Sequence, residues 1–94
     1  MALARVVSFE GVSTERIRQL EAEMNSQEQP EGVRATEIVM LHDPAAEKSL
    51  VVLFFDNEAD YADADAALSA MPTDETPGRR TSVAKYDVAM RMKA

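Results

Sequence analysis

The chain has 94 residues, 46% of them apolar, with 17 acidic side chains against 10 basic ones, a net charge of -7 and no cysteine. That length fits one domain, and the lack of thiols removes thiol catalysis, iron–sulfur clusters and most structural zinc, a composition that suits a reducing compartment. Fifteen of the apolar residues are alanine, and a chain this short hides only about 60 to 70% of its unfolded surface, so the core is thin and self-association is expected.

Residues 2 to 10 read as a strand on Val6, Val7 and Phe9, closed by Gly11. A helix follows, with Ser13 as N-cap, Val12 and Ile17 placed as a hydrophobic staple and Glu15 in the first turn. Its apolar stripe is Ile17, Leu20 and Met24, opposite Arg16, Arg18, Gln19 and Glu23, and it runs out at Asn25. The polar stretch from Ser26 through Pro30 to Gly32 turns the chain.

Residues 33 to 42 are expected to form a second strand, with Ile38, Val39, Met40 and Leu41 on both of its faces, stopped by Asp43 and Pro44. After a turn from Asp43 to Lys48 comes Leu50 to Phe55, the strongest strand signal in the chain. It has no polar alternation. Leu50, Val52 and Phe54 point one way and Val51, Leu53 and Phe55 the other, so this strand needs cover on both sides.

Asn57 then caps a second helix, Glu58 to Met71, with Glu58 and Asp60 in its first turn and a stripe of Tyr61, Ala64, Leu68 and Met71 ended by Pro72. Thr73 to Arg80 reads as a surface loop. A last strand from Thr81 to Met92 alternates Ala84, Tyr86, Val88, Met90 and Met92 with Lys85, Asp87 and Arg91, as an edge strand with one wet face does. The order is strand, helix, strand, strand, helix, strand, so the fold class is α+β, a ferredoxin-like βαββαβ domain spanning residues 1–94. Right-handed crossovers put both helices on one face of a four-stranded antiparallel sheet. The other face is left apolar, and a two-fold homodimer that packs sheet on sheet or closes into a barrel resolves it.

The charge balance opposes nucleic acid and anionic membrane surfaces as partners. Arg79 and Arg80 are the only local basic pair and read as part of a solvated turn. An RNA-recognition module needs basic residues beside its exposed aromatics, and Leu50 to Phe55 has only Lys48 nearby. Met1 to Phe9 lacks the charged and apolar regions of a signal peptide, and the longest apolar run is too short for a membrane span, so a cytoplasmic location is expected.

Pro30-Glu31-Gly32-Val33 before a strand, His42-Asp43-Pro44 at a hairpin, and Leu50 to Phe55 followed by Asp56-Asn57-Glu58 opening an alanine-rich helix resemble the dimeric α+β barrel superfamily. The branch most similar is the antibiotic biosynthesis monooxygenase domain. Pro77 to Val83 and Tyr86-Asp87-Val88-Ala89 resemble small actinobacterial members of that group. The resemblance covers nearly the whole chain as a pattern of fold, and fold does not fix function. Members include cofactor-free oxygenases of quinols and polyketide anthrones, haem-degrading enzymes, lactone isomerases and proteins with no assigned activity.

Related haem-degrading enzymes hold haem through a histidine on the second helix, and Glu58 to Met71 contains none. A single imidazole, His42, does not make a transition-metal site, and Asp63 and Asp65 lie about 200° apart around a helix, so Asp60, Asp63 and Asp65 read as a solvated face. No serine has a nucleophile-elbow context, and Gly11, Gly32 and Gly78 are isolated, so no glycine loop cradles phosphate. No cofactor and no metal is therefore expected. The resemblance implies an oxygenase that deprotonates an electron-rich phenolic substrate in a dry pocket, with His42 as base, Tyr61 and Tyr86 as hydrogen-bond donors and Arg34 as charge stabiliser. Each has a structural alternative: a hairpin histidine, two core aromatics and an edge charge. Family oxygenases often use Trp, which this chain lacks. The alternative function is a non-catalytic homodimer holding a small apolar or aromatic ligand between helices and sheet.

Overall fold

The computed structural model describes residues 2–26, 33–70 and 78–92. Strand β1 (Leu3–Glu10) leads into helix α1 (Thr14–Ser26); β2 (Glu37–Asp43) and β3 (Lys48–Phe55) form a hairpin; helix α2 (Glu58–Ser69) and strand β4 (Arg79–Asp87) follow. All pairings are antiparallel and the sheet order is β2-β3-β1-β4. This is the ferredoxin-like arrangement expected from the order of elements. No helix among the described residues is long and apolar enough to cross a membrane.

Local chemistry explains where the helices begin. The Ser13 hydroxyl accepts from the Arg16 amide at 3.1 Å, and Ile17 packs against the cluster containing Val12, as a staple requires. Asn57 is extended and its side chain accepts from the Asp60 amide at 2.8 Å. In the β2–β3 hairpin the Asp43 carboxylate accepts from the amides of Ala45 and Ala46, and Glu47 takes a left-handed φ of 52° to bring the chain back. The Glu47 carbonyl in turn accepts from the Val12 amide at 2.7 Å, which ties the hairpin to the segment entering α1.

Directly opposite residues of antiparallel strands share a face, so the register divides the sheet cleanly. Leu3, Arg5, Val7 and Phe9 of β1 stand with Phe55, Leu53, Val51 and Ser49 of β3 and with Ile38, Met40 and His42 of β2. This side receives both helices: Tyr61 and Ala64 of α2 pack with Leu3, Leu53 and Phe55, and Ile17 of α1 packs with Val7, Phe9 and Val12. Tyr61 meets Phe55 edge to face, with ring centroids 5.6 Å apart. The opposite side carries Ala4 and Val6, Leu50, Val52 and Phe54, Val39 and Leu41, and Ala84 and Tyr86. Among the described residues no helix packs on this side; the Arg91 guanidinium lies over the Phe54 ring, 4.1 Å from its centre, and Leu41 and Tyr86 are 52% and 57% exposed.

Several boundaries differ from expectation. β2 starts at Glu37 rather than at residue 33. Val33 and Ala35 are buried beside Leu3 and Phe55, and Thr36 bonds the Phe54 carbonyl through its amide and its hydroxyl before the ladder begins. α1 continues to Ser26, one residue past Asn25. α2 ends at Ser69, with Ala70 as its C-cap, two residues short of Met71. β4 shows the largest shift: Arg79 and Arg80 belong to the strand, not to a loop, and Val88 to Met92 leave the ladder. Strand β1 pairs with β4 from Leu3 to Glu10, and past Asp87 the Val88 amide still bonds the Ala2 carbonyl at 3.0 Å before the chain leaves the sheet. The side chain of Met24, the turn at 27–32, the Met71–Pro72 helix stop and the loop at 73–77 lie outside the described residues.

Two expectations about exposure are also corrected. The wet side of β4 faces the helices: Lys85 stands opposite Arg5, and its ammonium lies 2.7 Å from Glu58 and 5.0 Å from the centre of the Tyr61 ring. Tyr86, read as a core aromatic, lies on the open side. Nor are Asp60 and Asp65 merely solvated. Asp65 accepts from Arg5 Nε at 2.9 Å, and Arg5, only 3% exposed, also reaches Ser69 Oγ at 3.5 Å. No buried side-chain polar atom among the described residues lacks a partner.

These contacts set two expectations for urea unfolding. Asp65→Ala strands a buried guanidinium and costs about 2 kcal/mol, whereas Arg5→Met, which removes the charge itself, stays within about 1 kcal/mol of the parent. Gly78→Ala destabilises by about 1 to 3 kcal/mol, because its Cβ would lie 2.5 Å from the Glu10 carbonyl oxygen, a backbone atom of the central strand that cannot swing aside.

Candidate functional site

The concavity of interest is a half-open cavity of about 520 Å³ lined by Ser8, Phe9, Glu10, Leu41, His42, Asp43, Lys48, Ser49, Leu50 and Thr81. By register, Ser8, Glu10, Leu41, Asp43, Lys48 and Leu50 belong to the open side of the sheet, so the cavity lies on the face away from the helices. The expected ligand space was between helices and sheet. There the described side chains close on one another instead: Leu3, Val33, Leu53, Phe55, Tyr61 and Ala64 form one buried cluster.

The cavity owes its shape to three local features. Leu41 and Leu50 are paired across β2 and β3, so their side chains stand together as an apolar floor. Beside them the pairing of β1 with β4 slips between Ser8 and Phe9, which leaves Thr81 as an extra residue on β4. Its hydroxyl bonds the Ser8 carbonyl at 3.2 Å and it lines the cavity wall. The hairpin end supplies the charges. Lys48 stands opposite both Asp43 and Glu10, its ammonium 3.9 Å from Glu10 Oε1, while Glu10 Oε2 is held by Arg79 at 2.6 Å.

The four residues chosen from the sequence occupy different places. His42 lines the cavity, but its register puts the imidazole on the helix side, with Nε2 2.9 Å from the Val12 carbonyl. A carbonyl only accepts, so Nε2 is the donor in this contact. Tyr61 is buried under α2 against Phe55, six residues along β3 from the Ser49 that pairs with His42, a separation of about 20 Å. Tyr86 is on the open side opposite Ala4, near the same far end of β1. Arg34 is solvent-exposed, 3.8 Å from Asp60. The four do not surround one point. Lys48, Glu10 and Thr81, which do line the cavity, were not among them. The alternation in β3 could have pointed to Lys48 as the open-face neighbour of Leu50, but the bulge that turns Thr81 inward has no sequence signature.

Electrostatic perturbation is concentrated on the helix side. Burial raises the pKa of Tyr61 above the ordinary 10.0, and the Asp65 carboxylate adds to it. The hydrogen bond to Glu58 raises that of Lys85 above 10.5. Both groups keep their protons longer in the folded chain than in the unfolded one, so the stability they contribute is intact below pH 10 and falls as pH rises past 10.0 and through the folded values. Unfolding followed against pH should show this alkaline decline, with a shallower slope in Tyr61→Phe. In Tyr86→Phe the remaining tyrosinate absorbance should appear with a midpoint above 10.0.

Among the described residues no group of three His, Asp or Glu side chains is placed to hold a metal ion. In comparison with known proteins, the chain matches no family model and no curated protein sequence.

Proposed function

We propose that this protein is a small-molecule-binding homodimer in which two copies pack open face to open face and enclose the cavity of each protomer between their sheets. The observation that carries the reading is the apolar side of the sheet opposite the helices, where Val39, Leu41, Leu50, Val52, Phe54 and Tyr86 stand together with no helix over them among the described residues. Contiguous apolar surface of this kind marks an interaction site. A second copy suits it because the strand positions at the centre are uncharged while the strand ends carry both signs, Lys48 with Glu37 and Asp43, and Arg91 stacks on the Phe54 ring, so like sheets can meet without a net opposing field at the contact. Each copy carries -7 overall, but repulsion between distant surface charges is screened beyond about 8 Å at physiological salt.

Binding rather than catalysis is supported by the dispersal of the oxygenase candidates. A cofactor-free oxygenase needs its base and its oxyanion donors around one substrate, and His42, Tyr61, Tyr86 and Arg34 stand on two faces and at both ends of the sheet. Oxygen consumption with quinols or anthrones above background, lost in His42→Ala, would restore the oxygenase reading.

Sedimentation at micromolar concentration should give a species of twice the 10.3 kDa chain mass. Leu50→Asp, placed on a partly exposed open-face position, should convert it to the monomer while leaving the circular dichroism of the fold unchanged. A parent chain that sediments as a monomer overturns the dimer.

A further inference from the structure

We infer that the open-face cavity is a site for a small amphipathic carboxylate, its anionic end on Lys48 and its apolar body on Leu41 and Leu50. The inference deepens the binding reading above and rests on it for the claim that this face takes a ligand.

The volume, about 520 Å³, is within the range of small-molecule sites. Its lining sorts by chemistry along β3. Lys48 and Leu50 are two residues apart on the same face, so the ammonium stem starts about 7 Å from the apolar floor. A ligand with a charged end and a short apolar body matches that separation, whereas a wholly polar or wholly apolar molecule would leave one half of the site unmatched.

The sign of the charged end follows from which groups already have partners. Glu10 is held by Arg79 at 2.6 Å, and Asp43 spends its Oδ1 on the Ala45 and Ala46 amides at 3.1 and 3.2 Å. Thr81 gives its hydroxyl to the Ser8 carbonyl and Ser49 gives its own to the Leu41 carbonyl at 2.8 Å. Lys48 has only the long 3.9 Å approach to Glu10 among the contacts of the described residues, beyond hydrogen-bonding distance. Its ammonium has three donors, so it is the lining group with most capacity left, and that capacity is for an anion. The Ser8 residue, directly opposite Leu50, places one further hydroxyl beside the floor. The two carboxylates in the wall, Glu10 and Asp43, disfavour a doubly charged ligand such as a phosphate ester and select a single negative charge.

The test uses the full chain with octanoate and phenylacetate as probes and 1-octanol as the uncharged control, followed by titration calorimetry and by amide chemical shifts. Both carboxylates should bind, with shifts centred on Lys48, Leu50, Leu41 and Ser8. Octanol should bind about tenfold more weakly or worse, and Lys48→Gln should weaken the carboxylates by about the same factor and erase the preference over octanol. Lys48 is mostly exposed, so the variant is expected to fold, and circular dichroism checks this. Equal binding of octanoate and octanol, an unchanged affinity in Lys48→Gln, or no carboxylate binding at millimolar concentration each overturns the inference. Sedimentation of the same samples separates the two proposals: a monomer that binds octanoate through Lys48 sinks the dimer and leaves the site, and a dimer that binds no carboxylate does the reverse.

Discussion

The two central strands, β1 and β3, carry apolar side chains on both faces, and two helices packed on one side of a sheet can cover only one of them. The rest of the structure follows from that constraint. On the covered side Leu3, Leu53 and Phe55 meet Tyr61 and Ala64 of α2, and Val7 and Phe9 meet Val12 and Ile17. On the other, Val6, Leu50, Val52 and Phe54 continue the same strands with no second layer of helix or sheet among the described residues. The rim cavity, the exposed Leu41 and Tyr86, and the proposal of a second copy are all consequences of this face.

The covered side shows how a thin core tolerates charge. Arg5 is in the middle of the central strand, where an aliphatic residue would ordinarily stand, and is 3% exposed. It is satisfied from α2 by Asp65 and Ser69, one helical turn apart, so the guanidinium fixes the position of α2 over β1. Lys85 and Glu58 make a second link from β4 to the start of α2, at the other side of Tyr61. These polar ties flank an apolar contact made largely by one tyrosine and by alanine. An alanine-rich helix brings little area to bury, and directional bonds set its orientation where packing alone would leave it loosely defined.

The element order was legible because each element has its own local signal: Ser13 and Asn57 as caps, the Asp43 hairpin, the unbroken run from Leu50 to Phe55. Boundaries were less so where a tertiary partner decides them. Val33 and Ala35 look like strand residues, yet they lie in the core without joining the ladder, because the pairing with β3 starts only at Glu37. Arg79 and Arg80 look like a solvated loop, yet they pair with Phe9 and Glu10. The candidate site was read less well than the fold. His42 was visible as the only imidazole, but which face of β2 it takes depends on register, and a shift of one residue reverses it.

The sequence by itself determined the ferredoxin-like order and the surplus of apolar residues on β3, because caps, turns and periodicity are local properties of neighbouring side chains. Only the tertiary structure decided which side of each strand the helices cover, since that is set by pairing between residues far apart in the chain. It thereby put Asp65 on Arg5, turned the polar side of β4 toward the helices, and brought Leu41, Lys48 and Leu50 around one cavity with Thr81 at the bulge. Such groupings depend on strand register and on one inserted residue, neither of which is marked by the kind of amino acid at the positions involved.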